Sequence, residues 1–424
     1  MQQALTAFRN GRNDEARDIA LATWNQTADV RAATLLALLE VDAKRPSAAL
    51  DWTRQALARD PGNARLHLQA GRLSNTLGQP RSAADAFSAA TRLDPSLGRG
   101  WLELGHVLVE LGDRESAIEA LVRAERFETE RSGATQALLD ALPSTSPPVQ
   151  PASTAALRAK AAREPISIVT CSIDDTRFDR ASQSYANALA GWPHEIVRIS
   201  DARSLAEGYT RGTERASYPI IIFSHDDVEI LTSDFGSRLA RHLASCDIVG
   251  IAGATKAAGP AWSHAGHPHL HGCVVGPTAT GLEVQVFSVR GPLIGRIQVL
   301  DGVFLAMRRE IAAQVGWDAE TFDGFHGYDV DFTLRAATSG LRLAVATDLG
   351  VLHHSRGHFG DAWRVAADKL KRKHLILNGP PSQSTHWYGR AVDSSDEAVN
   401  IADRLVACFS DNRQSTDAGE STAV

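Results

Sequence analysis

The chain has 424 residues, 43% of them apolar and 22% charged, which is the composition of an ordinary globular protein with room for two or three domains. A net charge of −6 and a pI near 6.2 argue against a nucleic-acid binder, which would carry a basic stripe. Cys171, Cys246, Cys273 and Cys408 lie too far apart for a zinc knuckle or a disulfide framework. No stretch approaches the ~18 apolar residues of a membrane span, and the first residues lack an apolar signal core, so the cytoplasm is the expected compartment.

Residues 1–142 are periodic. Asp60-Pro61 recurs as Asp94-Pro95 after 34 residues, Leu77-Gly78 falls on Leu111-Gly112, and Ala83 and Ala90 fall on Ala117 and Ala124. One period earlier, Ala49, Thr53 and Ala56 take the places of Ala83, Phe87 and Ala90; a looser copy runs through Leu5, Phe8, Gly11, Ala16 and Ala20. Trp101, Leu104, Leu108 and Leu111 form one helical stripe, and Ala117, Leu121 and Ala124 a second. Small residues let paired helices approach, and Asp-Pro ends each pair because proline cannot continue a helix. The pattern resembles tetratricopeptide repeats. That resemblance implies an all-α solenoid whose groove takes a peptide or protein partner; the plainer role is structural support for a neighbouring domain.

Residues 143–164 are rich in Pro and Ser and read as an extended linker. An α/β domain is expected over 165–380. Ile166–Thr170 is a strand, a helix follows near Phe178–Leu189, and His194–Ile199 is a second strand. A helix over Leu205–Arg215 then leads to the apolar strand Pro219–Phe223. Strand, helix, strand, helix, strand implies a parallel, right-handed half-domain. The third strand stops at His225-Asp226-Asp227, and ligands of open α/β sheets bind beyond the carboxyl ends of the strands. Paired acids need a compensating cation or hydrogen bonds. Oxygen ligands of this kind suit Mg2+ or Mn2+ bridging a diphosphate. There is no G-x-G-x-x-G and no Walker loop, so a glycine cradle does not hold the phosphates.

Further on, Leu300-Asp301-Gly302-Val303-Phe304 precedes a segment ending in Gly327-Tyr328-Asp329-Val330-Asp331, and His353-His354 follows the strand over 340–346. Over about 200 residues this resembles a family 2-type glycosyltransferase of GT-A fold, which takes nucleotide-diphosphate sugars. The resemblance implies that His225-Asp226-Asp227 is the D-x-D-type motif, with His in the first place, Asp227 on the metal ion and Asp226 near the ribose. It places Asp201 at the nucleotide base, and Thr170 and Ser172 along the nucleotide slot. Glu207-Gly208-Tyr209-Thr210-Arg211-Gly212 matches the helix near the base, with Thr210 in place of the usual Asn. Asp301-Gly302 would approach the sugar, glycine permitting close backbone contact. Asp329 takes the place of the catalytic base in the E-D-x-D motif, with Tyr328 where Glu is usual. At a helix start the dipole favours a carboxylate, so Asp329 is expected to stay ionised. His353, or else His354, would complete the metal shell, and Arg356 would neutralise diphosphate charge.

Two stretches stand outside this scheme. Trp262-Ser-His264-Ala-Gly-His267-Pro-His269-Leu-His271 carries four histidines at no defined metal spacing, and reads as an acceptor-side loop with Trp262 a stacking face or a core residue. Residues 381–409 read as one amphipathic closing helix, with a disordered end beyond it in the 381–424 extension.

The expected protein is therefore a metal-dependent, inverting glycosyltransferase using Mn2+ or Mg2+ and a UDP-sugar foremost. Its acceptor would be a protein or glycan, and its repeats would recruit the acceptor or a protein partner. The competing class is a non-catalytic scaffold or sugar-nucleotide sensor, suggested by His225, Thr210 and Tyr328. A nucleotidyltransferase would carry a Gly-rich basic loop, which Thr170–Asp175 is not.

Overall fold

The computed structural model describes residues 1–127, 133–143, 163–355, 357, 359–380, 382 and 387–410. It divides into two compact units, Met1–Ala141 and Leu142–Val424. The expectations of an extended linker over 144–162, of disorder over 411–424 and of a role for Arg356 lie outside the described residues.

The first unit is a run of helices: α1 (Gln2–Arg9), α2 (Asn13–Thr27), α3 (Val30–Asp42), α4 (Pro46–Arg59) and α5 (Ala64–Thr76). It continues with α6 (Pro80–Leu93), α7 (Gly98–Glu110), α8 (Arg114–Phe127) and α9 (Ala134–Ala141). The strongest packing joins α3 to α4, α5 to α6 and α7 to α8, each helix lying on its neighbour in sequence. Pro46 and Pro80 occupy first-turn positions, where a missing N–H costs nothing, and Asp60 and Asp94 cap α4 and α6. Ala49, Ala56, Ala83, Ala90, Ala117 and Ala124 are all fully buried, as their recurrence predicts. Two glycines explain how close the helices come. A Cβ on Gly71 would sit 2.4 Å from the Phe87 ring, and one on Gly105 would sit 2.6 Å from Leu121. Both pairs occupy the same places in the 34-residue period.

The second unit opens with β1 (Ile166–Cys171), α10 (Asp175–Ala188), β2 (His194–Ile199), α11 (Leu205–Arg215) and β3 (Ile220–Ser224). Then come β4 (Val228–Ile230), α12 (Phe235–Leu243), β5 (Ile248–Gly250), β6 (Ala252–Ala254), β7 (Leu270–Pro277) and β8 (Leu282–Ser288). β9 (Leu293–Ile297), β10 (Val299–Leu300), β11 (Phe304–Arg308), α13 (Arg309–Val315) and α14 (Tyr328–Thr338) follow. The unit ends with β12 (Leu343–Ala346), β13 (Val351–His353), α15 (Asp361–Lys373), β14 (Tyr388–Val392) and α16 (Ser395–Ser410). The main sheet has the order β2-β1-β3-β11-β5-β12-β9. β1 pairs parallel with both β2 and β3, as the alternation of strands and helices predicts, and β11 enters antiparallel beside β3. A second sheet, β10-β6-β7-β13-β4, carries β8 and β14 on its β7 side.

Every residue of β3 is buried, which matches its unbroken apolar run between two sheet neighbours. The closing element differs from the single helix expected over 381–409. Tyr388–Val392 pairs antiparallel with β8 instead, and only Ser395–Ser410 is helical. The buried face of α16 uses Ala398, Ile401, Ala402, Leu405, Val406 and Phe409, a helical spacing that masked the short strand before it.

Candidate active site

The end of β3 turns sharply into β4 through His225, Asp226 and Asp227, because β3 pairs in the main sheet and β4 in the second one. A cleft of about 320 Å3 opens at this turn. Cys171, Ser172 and Ile173 form its wall after β1, Ala202 its wall after β2, and His225, Asp226 and Asp227 its wall after β3. Arg177, Phe325 and Ser355 complete the rim.

The two acids of the turn face different ways. Asp226 accepts a hydrogen bond from Ser172 Oγ at 2.7 Å, and Arg177 Nη1 stands 3.9 Å from its other oxygen. Asp227 points to the β13 side, where His353 Nε2 lies 3.4 Å from its carboxylate and 3.2 Å from Ser355 Oγ. Burial alone would raise the Asp227 pKa. Hydrogen bonds from His353 and Ser355 and the neighbouring imidazoles outweigh that and hold it well below the usual carboxylate range.

His225, Asp227 and His353 each offer one ligand atom, all within 4.8 Å of one another, and they are the one such trio among the described residues. Two imidazoles and a carboxylate are a donor set that fits a first-row transition ion well. In sequence His225 is a departure from the D-x-D pattern, and the two adjacent histidines are alternatives for the metal shell. Here His225 joins the trio, and His354 is drawn away: its Nε2 lies 2.6 Å from Glu229 Oε1, across the β13–β4 pair. His354 alternates to the other side of the strand from His353, as period-2 geometry requires. Burial first, and His353 second, keep the His225 pKa below the ordinary imidazole value.

The second acidic region begins at α14. Gly327 starts the helix with a φ of +80°, and Tyr328 and Asp329 follow in its first turn. The Gly302 N–H donates to Asp329 Oδ2 at 3.1 Å, and the Gly302 carbonyl accepts from the Tyr328 hydroxyl at 3.3 Å. Tyr328 in turn meets His225 Nε2 at 2.8 Å. Neither Asp301 nor Asp329 lines the cleft itself; this chain of contacts ties them to its wall.

The ionisation of Asp329 is contrary to expectation. Desolvation, and then the negative Asp301, push its pKa up to about 7, more than the helix start and the Gly302 N–H can offset. Asp331, two residues on, lies on another side of α14 and is fully buried against Arg335, Lys373 and His374 at 2.9, 2.6 and 2.8 Å. Burial raises its pKa less than these partners lower it, so the net shift is downward. It anchors α15 rather than serving the cleft.

Other expected residues are placed less centrally. Thr170 is buried inside β1, whereas Ser172 lines the wall beside Cys171 and Ile173. Asp201 is exposed and bound to Arg211 Nη1 at 2.9 Å, with Ala202 in the cleft wall instead. Gly302 lacks a side chain because Tyr328 and Asp329 crowd it: a Cβ would lie 2.3 Å from the Tyr328 hydroxyl. Trp262 donates its indole N–H to Asp301 Oδ2 and packs edge-on to Phe287, so it holds the Asp301 turn and does not offer a free stacking face. The four histidines after it do not gather. His269 reaches Thr255, His264 lies against Trp363, and His271 is buried in β7, its pKa brought down to about 4 by desolvation and then Arg290. The contacts of Tyr328 and Trp262 leave no trace in local sequence, since they cross 26 and 39 residues to reach the Asp301-Gly302 turn.

Residues 167–374 match the model of a glycosyltransferase-like family, and residues 1–64 and 66–133 match that of the tetratricopeptide repeat. The chain thus joins tetratricopeptide repeats to a glycosyltransferase-like domain. Solved structures similar to part of it include that of MamA, 20% identical over 33% of this chain and 83% of that one, with a TM-score of 0.32. Another is the pilF protein of Pseudomonas aeruginosa, 22% identical over 33% and 65%, with a TM-score of 0.30. A third is YrrB, titled a TPR protein with an unusual peptide-binding site, 20% identical over 32% and 70%, with a TM-score of 0.29. No curated protein matches the chain. Among the described residues no helix is long and apolar enough to cross a membrane.

Proposed function

We propose that the protein is a cytoplasmic, metal-dependent, inverting glycosyltransferase that moves a sugar from a nucleoside diphosphate, UDP foremost, to an acceptor hydroxyl. The observation that carries this reading is the His225–Asp227–His353 trio, two of whose members line the cleft beside the hydrogen-bonded Ser172–Asp226 pair. The trio would hold a divalent ion, Mn2+ ahead of Mg2+ given two nitrogen donors, and the ion supplies positive charge for the diphosphate leaving group. Asp226, fixed by Ser172, accepts hydrogen bonds from the ribose hydroxyls. Asp329 takes the proton of the acceptor hydroxyl as that oxygen attacks the anomeric carbon from the face opposite the diphosphate. A carboxylate with a pKa raised to about 7 is a stronger base than an ordinary one and is still ionised at slightly alkaline pH. Inversion follows from attack on the opposite face and rests on the family resemblance. The repeats recruit a protein or glycan-bearing acceptor, and the lack of a disulfide among the described residues accords with a reducing compartment.

The test is turnover of UDP-, GDP- and dTDP-sugars with and without Mn2+, comparing wild type with Asp329→Asn. Metal-dependent turnover of one donor, lost in Asp329→Asn while nucleotide binding persists, is the expected result. Turnover of a donor that is equal with and without metal, or unchanged in Asp329→Asn, contradicts the reading.

A further inference from the structure

The Tyr328 hydroxyl sits where the two acidic regions meet. It is buried, 2.8 Å from His225 Nε2 and 3.3 Å from the Gly302 carbonyl oxygen. A phenol has one proton to give, and a carbonyl can only accept. If that proton goes to Gly302, the contact with His225 must run the other way, from Nε2–H to the phenol oxygen. A neutral imidazole protonated at Nε2 carries its lone pair on Nδ1, so the contact decides which nitrogen is free to bind a cation. The opposite arrangement leaves the Gly302 carbonyl without this donor and puts a proton on Nδ1. The backbone fixes the partners tightly: His225 N–H bonds to Val303 O at 3.1 Å, and Gly302 has no space for a side chain beside Tyr328.

We propose that Tyr328 is a positioning residue that holds His225 in the Nε2–H tautomer, so that Nδ1 is the atom His225 offers to a metal ion beside Asp227 and His353. The inference rests on the metal-site reading above. Its physical logic resembles that of other metal-binding histidines, whose second ring nitrogen is fixed by an outer partner. It also makes one device of two features that the sequence shows as separate departures. With His in the first place of the turn, its partner must accept a hydrogen bond without adding a third charge beside Asp301 and Asp329. A phenol does this, and a glutamate would not.

The test begins with metal-free protein carrying 15N-labelled histidine, studied by long-range 1H–15N correlation at pH 8. The His225 signals are identified by their loss in His225→Gln. The expected spectrum has Nε2 protonated and Nδ1 unprotonated. In Tyr328→Phe the ring is expected to lose this preference, and Mn2+ affinity to fall ~10–100-fold at unchanged metal-free nucleotide affinity. A wild-type spectrum with Nδ1 protonated overturns the proposal without recourse to any variant of Tyr328. A Tyr328→Phe protein that keeps both the tautomer and the Mn2+ affinity also overturns it. Failure of the transferase reading would show separately, as Mn2+ binding indifferent to Asp227→Ala, while the metal-free spectrum still decides the tautomer.

Discussion

The turn after β3 and the start of α14 both carry carboxylates, yet their surroundings push them in opposite directions. At the turn, hydrogen bonds and imidazoles outweigh burial and keep Asp227 ionised. At the helix start, burial and Asp301 outweigh the backbone donors and lift Asp329 to about 7. The helix dipole, worth typically 0.3–1 kcal/mol, is too small to reverse that. Two acids whose pKa values are driven apart are what a site needs when one must hold a cation and the other must carry a proton.

The comparison breaks most completely at Asp227. Asp227→Ala is expected to lower metal-dependent turnover ~10³–10⁴-fold, equivalent to the several kcal/mol a metal supplies to a leaving group. A Mn2+ titration of turnover measures it. Asp329→Asn is expected to cost ~10²–10³-fold while leaving nucleotide affinity unchanged, as loss of a general base does. The same variant sharpens the contrast through stability. An unfolded Asp titrates near 3.8 and Asp329 at about 7, so the folded state binds its proton more tightly. Ionising it therefore destabilises the fold, by nothing below pH ~4 and in full above pH ~7. Asp329→Asn should raise the Tm at pH 8 and leave it unchanged at pH 4, as melting curves at the two pH values would show.

A pH profile separates the causes. Turnover of the wild type is expected to fall as pH drops through about 7, the pKa of Asp329. In Asp301→Asn the falling limb should move to lower pH, because a negative neighbour is gone. A smaller effect is expected where the same helix uses its acid structurally. Asp331→Ala strips Arg335, Lys373 and His374 of their fully buried carboxylate partner, with an expected loss of about 2–4 kcal/mol in stability by denaturant titration. In the repeats, Gly71→Ala forces a methyl group against Phe87 and should destabilise that unit by about 1–3 kcal/mol, with donor hydrolysis unchanged.

How much of this was legible in sequence depended on the range of the interactions. The 34-residue recurrence of alanines and the β3 run are local patterns: the recurring alanines fall on buried helix faces, and the apolar run falls on β3 to within a residue. The turn at Asp226-Asp227 was visible because two acids after an apolar strand are conspicuous. The choice of His353 over His354 was not, since it depends on which side of β13 faces Asp227 and on Glu229 in a neighbouring strand. The elevated pKa of Asp329 was hidden for the same reason: Asp301 lies 28 residues earlier in sequence, and burial is a property of the assembled core. Tyr388–Val392 escaped notice because a five-residue edge strand beside a strongly amphipathic helix leaves little periodic signal of its own.

The most direct test of the central claim is calorimetric titration of the full chain with UDP and UDP-sugars, with and without Mn2+, beside Asp227→Ala. The account expects Mn2+ to strengthen binding of the diphosphate in the wild type, and that gain to vanish in Asp227→Ala. Binding that is equal with and without the ion, or no binding of any nucleotide under either condition, would contradict it.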